Sequence, residues 1–139
     1  MLKKIKDKLW LLRGKQNTVW GPTVKPGTHD IRSSIAIELV RDLVAEDANV
    51  SVYDPTGLAD FARTDLGSKT VPFTDPLEAV RNAEALVLAT VWPEFRDADF
   101  GLVEELMHSP IIFDGRNQLR PRNVRQNGLR LLQNRSLVQ

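Results

Sequence analysis

Six consecutive residues, Ala85-Leu86-Val87-Leu88-Ala89-Thr90, carry no charge, and the first five are apolar. A run so short and so uniform reads as a strand buried on both faces, the setting of a central strand in a parallel sheet. Such a sheet must be covered by helices on both sides, so the rest of the chain is expected to alternate helix and strand.

The alternation is there. Thr18-Val19-Trp20-Gly21 and Val50-Ser51-Val52-Tyr53 read as strands. Between them Ile35, Ile37, Leu39, Val40, Leu43 and Val44 are the apolar positions of a helix that Ser33 or Ser34 would cap. Lys69-Thr70-Val71 reads as a short third strand after a stretch, 56–67, that holds a partial helix. Residues 76–83 predict a helix with Asp75 as cap and Pro76 at its first position, and residues 100–107 predict another. Ile111-Ile112-Phe113 reads as a buried strand and Leu129-Arg130-Leu131-Leu132 as an edge strand. Ahead of all these, Leu2, Ile5, Leu9 and Leu12 recur at helical spacing among lysines and predict an amphipathic helix over residues 2–13, stopped by Gly14. The fold expected is α/β: a doubly wound, Rossmann-like parallel sheet of about five to six strands with helices on both faces.

At 139 residues the chain has the size of one globular domain and needs no disulfide or metal to hold a core. It has no cysteine, which excludes a thiolate nucleophile, a Cys-ligated zinc and a redox dithiol. His29 and His108 are the only histidines, and no metal site is expected. No run approaches the ~20 apolar residues of a membrane span, and residues 1–12 lack the apolar core and small-residue cleavage site of a signal peptide, so the expected compartment is the cytoplasm. Charge is uneven. Residues 1–16 carry six bases against Asp7, residues 116–139 carry six arginines and no acid, and the segment between is acidic. No aromatic residue is interleaved with those arginines as a stacking platform, so solvated ends are expected rather than a nucleic-acid surface. The rival reading, anion binding by the two basic ends, would show as an affinity that falls steeply with salt.

In a doubly wound sheet, ligands bind beyond the carboxyl ends of the strands. The residues to inspect there are Gly21 to Arg32, Asp54, Thr90 to Phe95, and Asp114 to Asn117. Lys25, Arg32 and Arg116 bring three cations to that rim, which suits a phosphate or pyrophosphate. Alternatively Arg32 and Arg116 pair with Asp30, Asp54 or Asp114 and only fix the loops. No G-x-G-x-x-G follows any strand, and the glycines at 21 and 27 lack the G-K-[ST] ending of a P-loop. Asp54 and Asp114 could form an acid–base pair, but acids at strand ends also serve as helix caps and loop ties. His29 titrates near neutrality in the right loop, where a hydrogen-bonding or exposed role is the ordinary one.

Taken in order, Leu9-Trp10-Leu11-Leu12-Arg13-Gly14-Lys15, Val19-Trp20-Gly21, Val24-Lys25-Pro26-Gly27-Thr28-His29-Asp30-Ile31-Arg32-Ser33-Ser34, Val52-Tyr53-Asp54-Pro55, Ala89-Thr90-Val91-Trp92-Pro93-Glu94-Phe95 and Ile112-Phe113-Asp114-Gly115-Arg116-Asn117 resemble the C-terminal domain of the UDP-glucose/GDP-mannose dehydrogenase family. The resemblance implies a fragment of an oxidoreductase. Members oxidise the primary alcohol of a nucleotide sugar twice, as in UDP-glucose to UDP-glucuronate for polysaccharide biosynthesis, with NAD held mainly by an N-terminal domain. A central domain mediates dimerisation, and the C-terminal domain closes over the nucleotide end of the substrate. By motif position, Val24 and Lys25 would contact the nucleotide sugar, Arg116 its UDP part, and Arg32 the NAD across the cleft. Residues 1–14 would correspond to the end of the central domain and residues 15–139 to the C-terminal one. The family has Phe where Val24 stands, Glu where Val91 stands and commonly Asp where His29 stands. Its catalytic cysteine, lysine and aspartate belong to parts this chain does not match, so no catalytic residue is assigned.

The expectation is therefore a UDP-sugar binding domain, inactive alone, whose catalysis would need a chain supplying the other domains. The alternative is a non-enzymatic interaction or structural protein that retains the fold and uses the apolar stripe of residues 2–13 for a homodimer or another partner.

Overall fold

The computed structural model describes residues 2–9, 12–22 and 31–133. Its centre is a six-stranded sheet, every pairing parallel, in the order β3-β2-β1-β4-β5-β6. The strands are β1 (Gln16–Trp20), β2 (Asn49–Tyr53), β3 (Val71–Pro72), β4 (Ala85–Leu88), β5 (Ile111–Asp114) and β6 (Arg130–Gln133). This is the doubly wound order, in which the winding reverses between β1 and β4.

Side chains of the central strands divide between two cores as the period of two requires. Trp20, Tyr53, Leu86, Leu88 and Ile112 face one cluster, and Val19, Val52, Ala85, Val87, Ile111 and Phe113 face the other. The first core is closed by α4 (Pro76–Ala79), α5 (Pro93–Arg96), α6 (Phe100–Leu106) and α7 (Pro121–Gln126), through Ala79, Phe95, Phe100, Val103 and Val124. The second is closed by α1 (Leu2–Leu9), α2 (Ile31–Ala45) and α3 (Leu58–Ala62), through Ile5, Leu39, Val40, Leu43 and Phe61. The run at 85–88 is fully buried at all four positions, as a strand covered on both faces must be.

Several expectations are corrected. The helix expected over 2–13 is Leu2–Leu9. Leu12 follows it, the chain turns at Arg13 and Gly14, and Gly14 adopts φ +75°, open to glycine at no steric cost. Ile5 and Leu12 are buried in the domain's own second core, and Lys6 pairs with Glu46 beyond the end of α2. The described part of the stripe is therefore covered by this chain itself. Ser33 and Ser34 lie inside α2, which already begins at Ile31, so neither caps it. Lys69 ends a 3₁₀ turn, and the third strand is the two-residue Val71–Pro72 at the sheet edge, where Pro is tolerated. The helix at 76–83 shortens to Pro76–Ala79, with Asp75 accepting from the Leu77 N–H as its cap. The helices α5 and α7 are additions to the sequence reading.

If α1 is integral, Ile5→Ala should lower stability by about 2–5 kcal/mol, the usual cost of emptying a buried aliphatic site. Urea unfolding checks this; a loss under about 0.5 kcal/mol would mean that α1 is dispensable to the fold.

Candidate functional site

The winding reversal puts a crevice beyond the carboxyl ends of β1 and β4, where the chains leaving the two strands diverge. Gly21 leaves β1 with φ +83° and donates its N–H to Tyr53 O at 2.7 Å. Across from it stands Thr90, just past β4. A Cβ on Gly21 would overlap Thr90 Oγ1 and come within 3.1 Å of the Phe95 ring, so both backbone angle and space require glycine. Thr90 Oγ1 is buried and has no hydrogen-bond partner among the described residues.

Beneath this point lies an aromatic floor. Trp20 and Phe95 pack with ring centres 5.3 Å apart, and Tyr53 meets Phe95 edge-on at 6.3 Å. Tyr53 then reaches over β1, its hydroxyl donating to Glu94 Oε2 at 2.6 Å. Burial, reinforced by that carboxylate, holds the Tyr53 phenol above its ordinary range, so it stays neutral and keeps donating. Trp20 donates its indole N–H to Pro76 O at 3.2 Å, which anchors α4 to the same floor.

The third wall is the loop after β5. Asp114 is fully buried, and its carboxylate is occupied by the loop itself. Oδ1 accepts the Arg116 N–H at 3.3 Å, while Oδ2 accepts the Leu119 N–H at 2.7 Å and the Gln133 amide at 3.0 Å. Asn117 turns the loop with φ +53°. Gln118 then spans to the β4 loop, donating to Thr90 O at 2.7 Å and accepting from the Trp92 N–H at 3.3 Å. Gly115 N donates to Leu88 O at 3.1 Å, so three hydrogen bonds sew the two loops together.

The backbone of Arg116 is thereby fixed on the expected rim, and the residue is half-buried there. It makes no ion pair with a described carboxylate, and Asp114 is tied by N–H groups rather than by an arginine side chain. Asp54 and Asp114 act as loop ties, the ordinary role of strand-end acids, rather than as a free acid–base pair: Asp114 is so occupied, and Asp54 Oδ1 accepts from Thr56 and Gly57 N–H at 3.1 and 2.7 Å. Arg32 sits in the first turn of α2, with its backbone at the rim. Val24, Lys25 and His29 lie outside the described residues. Sequence reasoning missed Gln118 and the Tyr53–Glu94 bond; both are contacts across many residues of chain, for which a single sequence carries no signal.

The described residues do not fit a dinucleotide. The turn after β1 offers Gly21 and Pro22 in place of a glycine-rich cradle, and the acid at the end of β2, Asp54, already spends an oxygen on its own loop. Among the described residues no group of three or more His, Asp or Glu could hold a metal, and no helix is long and apolar enough to cross a membrane.

Two substitutions test this geometry. Gly21→Ala should cost about 2–5 kcal/mol, combining left-handed strain with overpacking. Adding Thr90→Ala should recover only the packing part, as read by chemical denaturation. Asp114→Asn, which replaces one acceptor by an amide, should cost about 1–3 kcal/mol and broaden the amide NMR signals of Arg116 and Leu119; unchanged signals would show that the carboxylate does not hold the loop.

Comparison with known proteins agrees with this architecture. The profile of the UDP-glucose/GDP-mannose dehydrogenase family, UDP binding domain, matches residues 18–121. The UDP-glucose 6-dehydrogenase of Rhizobium meliloti (strain 1021) is 39% identical over 119 residues, which is 86% of this chain and 27% of that protein. The UDP-glucose 6-dehydrogenase of Rickettsia conorii (strain ATCC VR-613 / Malish 7) is 36% identical over 120 residues, 86% of this chain and 28% of that protein. Among solved structures, a UDP-glucose dehydrogenase from the hyperthermophilic archaeon Pyrobaculum islandicum superposes with TM-score 0.70 at 26% identity, covering 95% of this chain and 27% of that one. The chain thus spans little more than a quarter of the length of these relatives.

Proposed function

The chain belongs to the UDP-glucose/GDP-mannose dehydrogenase family, as its UDP-binding domain, and from that premise we propose that it binds the nucleotide end of a UDP-sugar and does not catalyse alone. The observation that carries the proposal is Arg116: a guanidinium without a carboxylate partner among the described residues, held by its backbone at the mouth of the crevice. An arginine on a fixed backbone, with no carboxylate partner among the described residues, suits a diphosphate, to which its fork offers two parallel hydrogen bonds. Asp114, Gln118 and Gly115 hold the loop that carries it, so the backbone needs no ordering on binding.

Lys25 supplies the second cation to the diphosphate and Val24 an apolar contact to the sugar. Arg32 reaches toward an NAD bound by another domain, since the described residues offer it no cradle here. Residues 1–14 link the domain to the family's central region, and residues 15–139 form the binding unit. In the whole protein, catalysis is the NAD-dependent oxidation of the sugar's primary alcohol, at a centre that another domain or chain contributes, in the cytoplasm. A purely structural role through residues 2–13 is less well supported, because Ile5 and Leu12 already serve the domain's own core.

Thermal unfolding with UDP, UDP-glucose, GDP-mannose or NAD tests the reading. Ligand at about 100 times its dissociation constant adds roughly 2.7 kcal/mol, a shift of several degrees in a domain this size. UDP compounds should give the shift and NAD none. Arg116→Ala and Lys25→Ala should each weaken UDP binding by about 1–3 kcal/mol without unfolding the chain. Undiminished binding by both variants would overturn the proposal.

A further inference from the structure

A second polar hollow lies one strand farther along the same edge, between the loops that follow β4 and β5. Its volume is about 620 Å³, within the roughly 300–1,000 Å³ of small-molecule sites. Pro93, Arg96, Asp97 and Ala98 line it from α5 and the turn after it, and Arg120 and Asn123 from the start of α7. None of Gly21, Thr90 or Arg116 lines it, so it stands apart from the crevice.

The arginines of this hollow outnumber its carboxylates. Five described bases ahead of β4 pair with carboxylates: Lys6 with Glu46, Lys15 with Glu84, Arg41 with Asp65, Arg63 with Asp60 and Arg81 with Glu78. Arg96 and Arg120 have no ion pair and no side-chain hydrogen bond among the described residues. Asp97 is the only carboxylate in the lining, and the segment from Arg116 onward contains no acid at all. Two guanidinium forks from different elements, with the Asn123 amide as a further donor, match a ligand that presents two anionic groups.

We propose that this hollow is a second anion site, which takes a compact diphosphate separately from the nucleotide crevice. Arg96 and Arg120 each grip one phosphoryl group, and Asn123 donates to the bridging region. The hollow is built from the same two loops that Gln118 joins, so a ligand there braces the wall that carries Arg116.

Inorganic pyrophosphate titrated into the ¹⁵N-labelled full chain, followed by NMR, decides the matter. In the chain saturated with UDP, saturable shifts are expected at the Asn123 side-chain amide and at Arg96 and Arg120 Nε. The Arg96→Ala/Arg120→Ala variant should weaken pyrophosphate binding at these probes about tenfold or more, and leave UDP affinity unchanged. Both side chains are exposed and have no partner among the described residues, so the variant keeps the fold, which its remaining amide spectrum verifies. Repeating the titration without UDP on Arg116→Ala makes the result independent of the nucleotide reading: the same shifts should persist. The proposal is overturned if Asn123 does not respond, if its response survives the double variant, or if UDP alone saturates it, which would make the hollow an extension of the crevice. Non-saturating shifts spread over Arg122 and Arg125 would equally overturn it in favour of diffuse polyanion attraction.

Discussion

The carboxylate of Asp114 is the fixed point on which the ligand-facing edge depends. Burying a carboxyl group is costly unless its oxygens are hydrogen-bonded, and this one takes two backbone N–H groups and one amide. Meeting that requirement folds residues 115–119 back over the strand end, and the fold of the loop then dictates what each residue can do. Arg116 is turned to the rim, Gln118 is brought within reach of the β4 loop, and Leu119 is buried as the chain enters α7. Gln133 joins the same carboxylate from β6, so the outer strand is tied to the loop as well as to β5.

The crevice next to it is rigid for a different reason. Its base is the packed trio of Trp20, Tyr53 and Phe95, whose rings come from β1, β2 and α5 and lock three elements by shape, with the Tyr53–Glu94 hydrogen bond adding a polar tie. Gly21 then has no freedom to carry a side chain, and the backbone of β1 can come close to Thr90. The sheet, the aromatic floor and the loop after β5 thus give one firm side of a ligand cleft. For a domain that spans about a quarter of its relatives' length, such preorganisation is what makes binding by a part conceivable: the ordering cost is met in folding rather than on association.

The legible parts of this fold were those where one pattern excludes others. The uncharged run at 85–90 permitted little besides a doubly covered strand, and the alternation around it forced the parallel sheet. The F-D-G-R-N segment marked the Arg116 loop. What failed were short elements. The helices α5 and α7, of 4 and 6 residues, fall below the window in which a 3.6-residue period can be counted, and β3 is set by edge pairing to β2 rather than by its own Lys-Thr-Val pattern. Asp114 was correctly read as a strand-end acid with a structural option, but its partners, the Leu119 N–H and the Gln133 amide, are determined only in three dimensions. The stripe of residues 2–13 shows the opposite error: periodicity identified an apolar face, yet could not say that Ile5 and Leu12 are buried in this domain's own core.

The uneven charge along the sequence acquires meaning from the same geometry. The acidic middle of the chain supplies carboxylates to nearby bases, such as Asp60 to Arg63 and Glu78 to Arg81 one turn away, and these exposed pairs contribute little to stability. Past β5 the acids cease, while the arginines continue through Arg116, Arg120, Arg122, Arg125 and Arg130. The buried acid that ends β5, Asp114, is engaged by N–H groups, and these arginines make no ion pair among the described residues. Positive potential therefore accumulates along the part of the edge where the loop after β5 and α7 meet the crevice and the hollow. Carboxylates paired with these arginines would cancel that field, so the sparing of acids along this stretch is what lets the edge attract an anion.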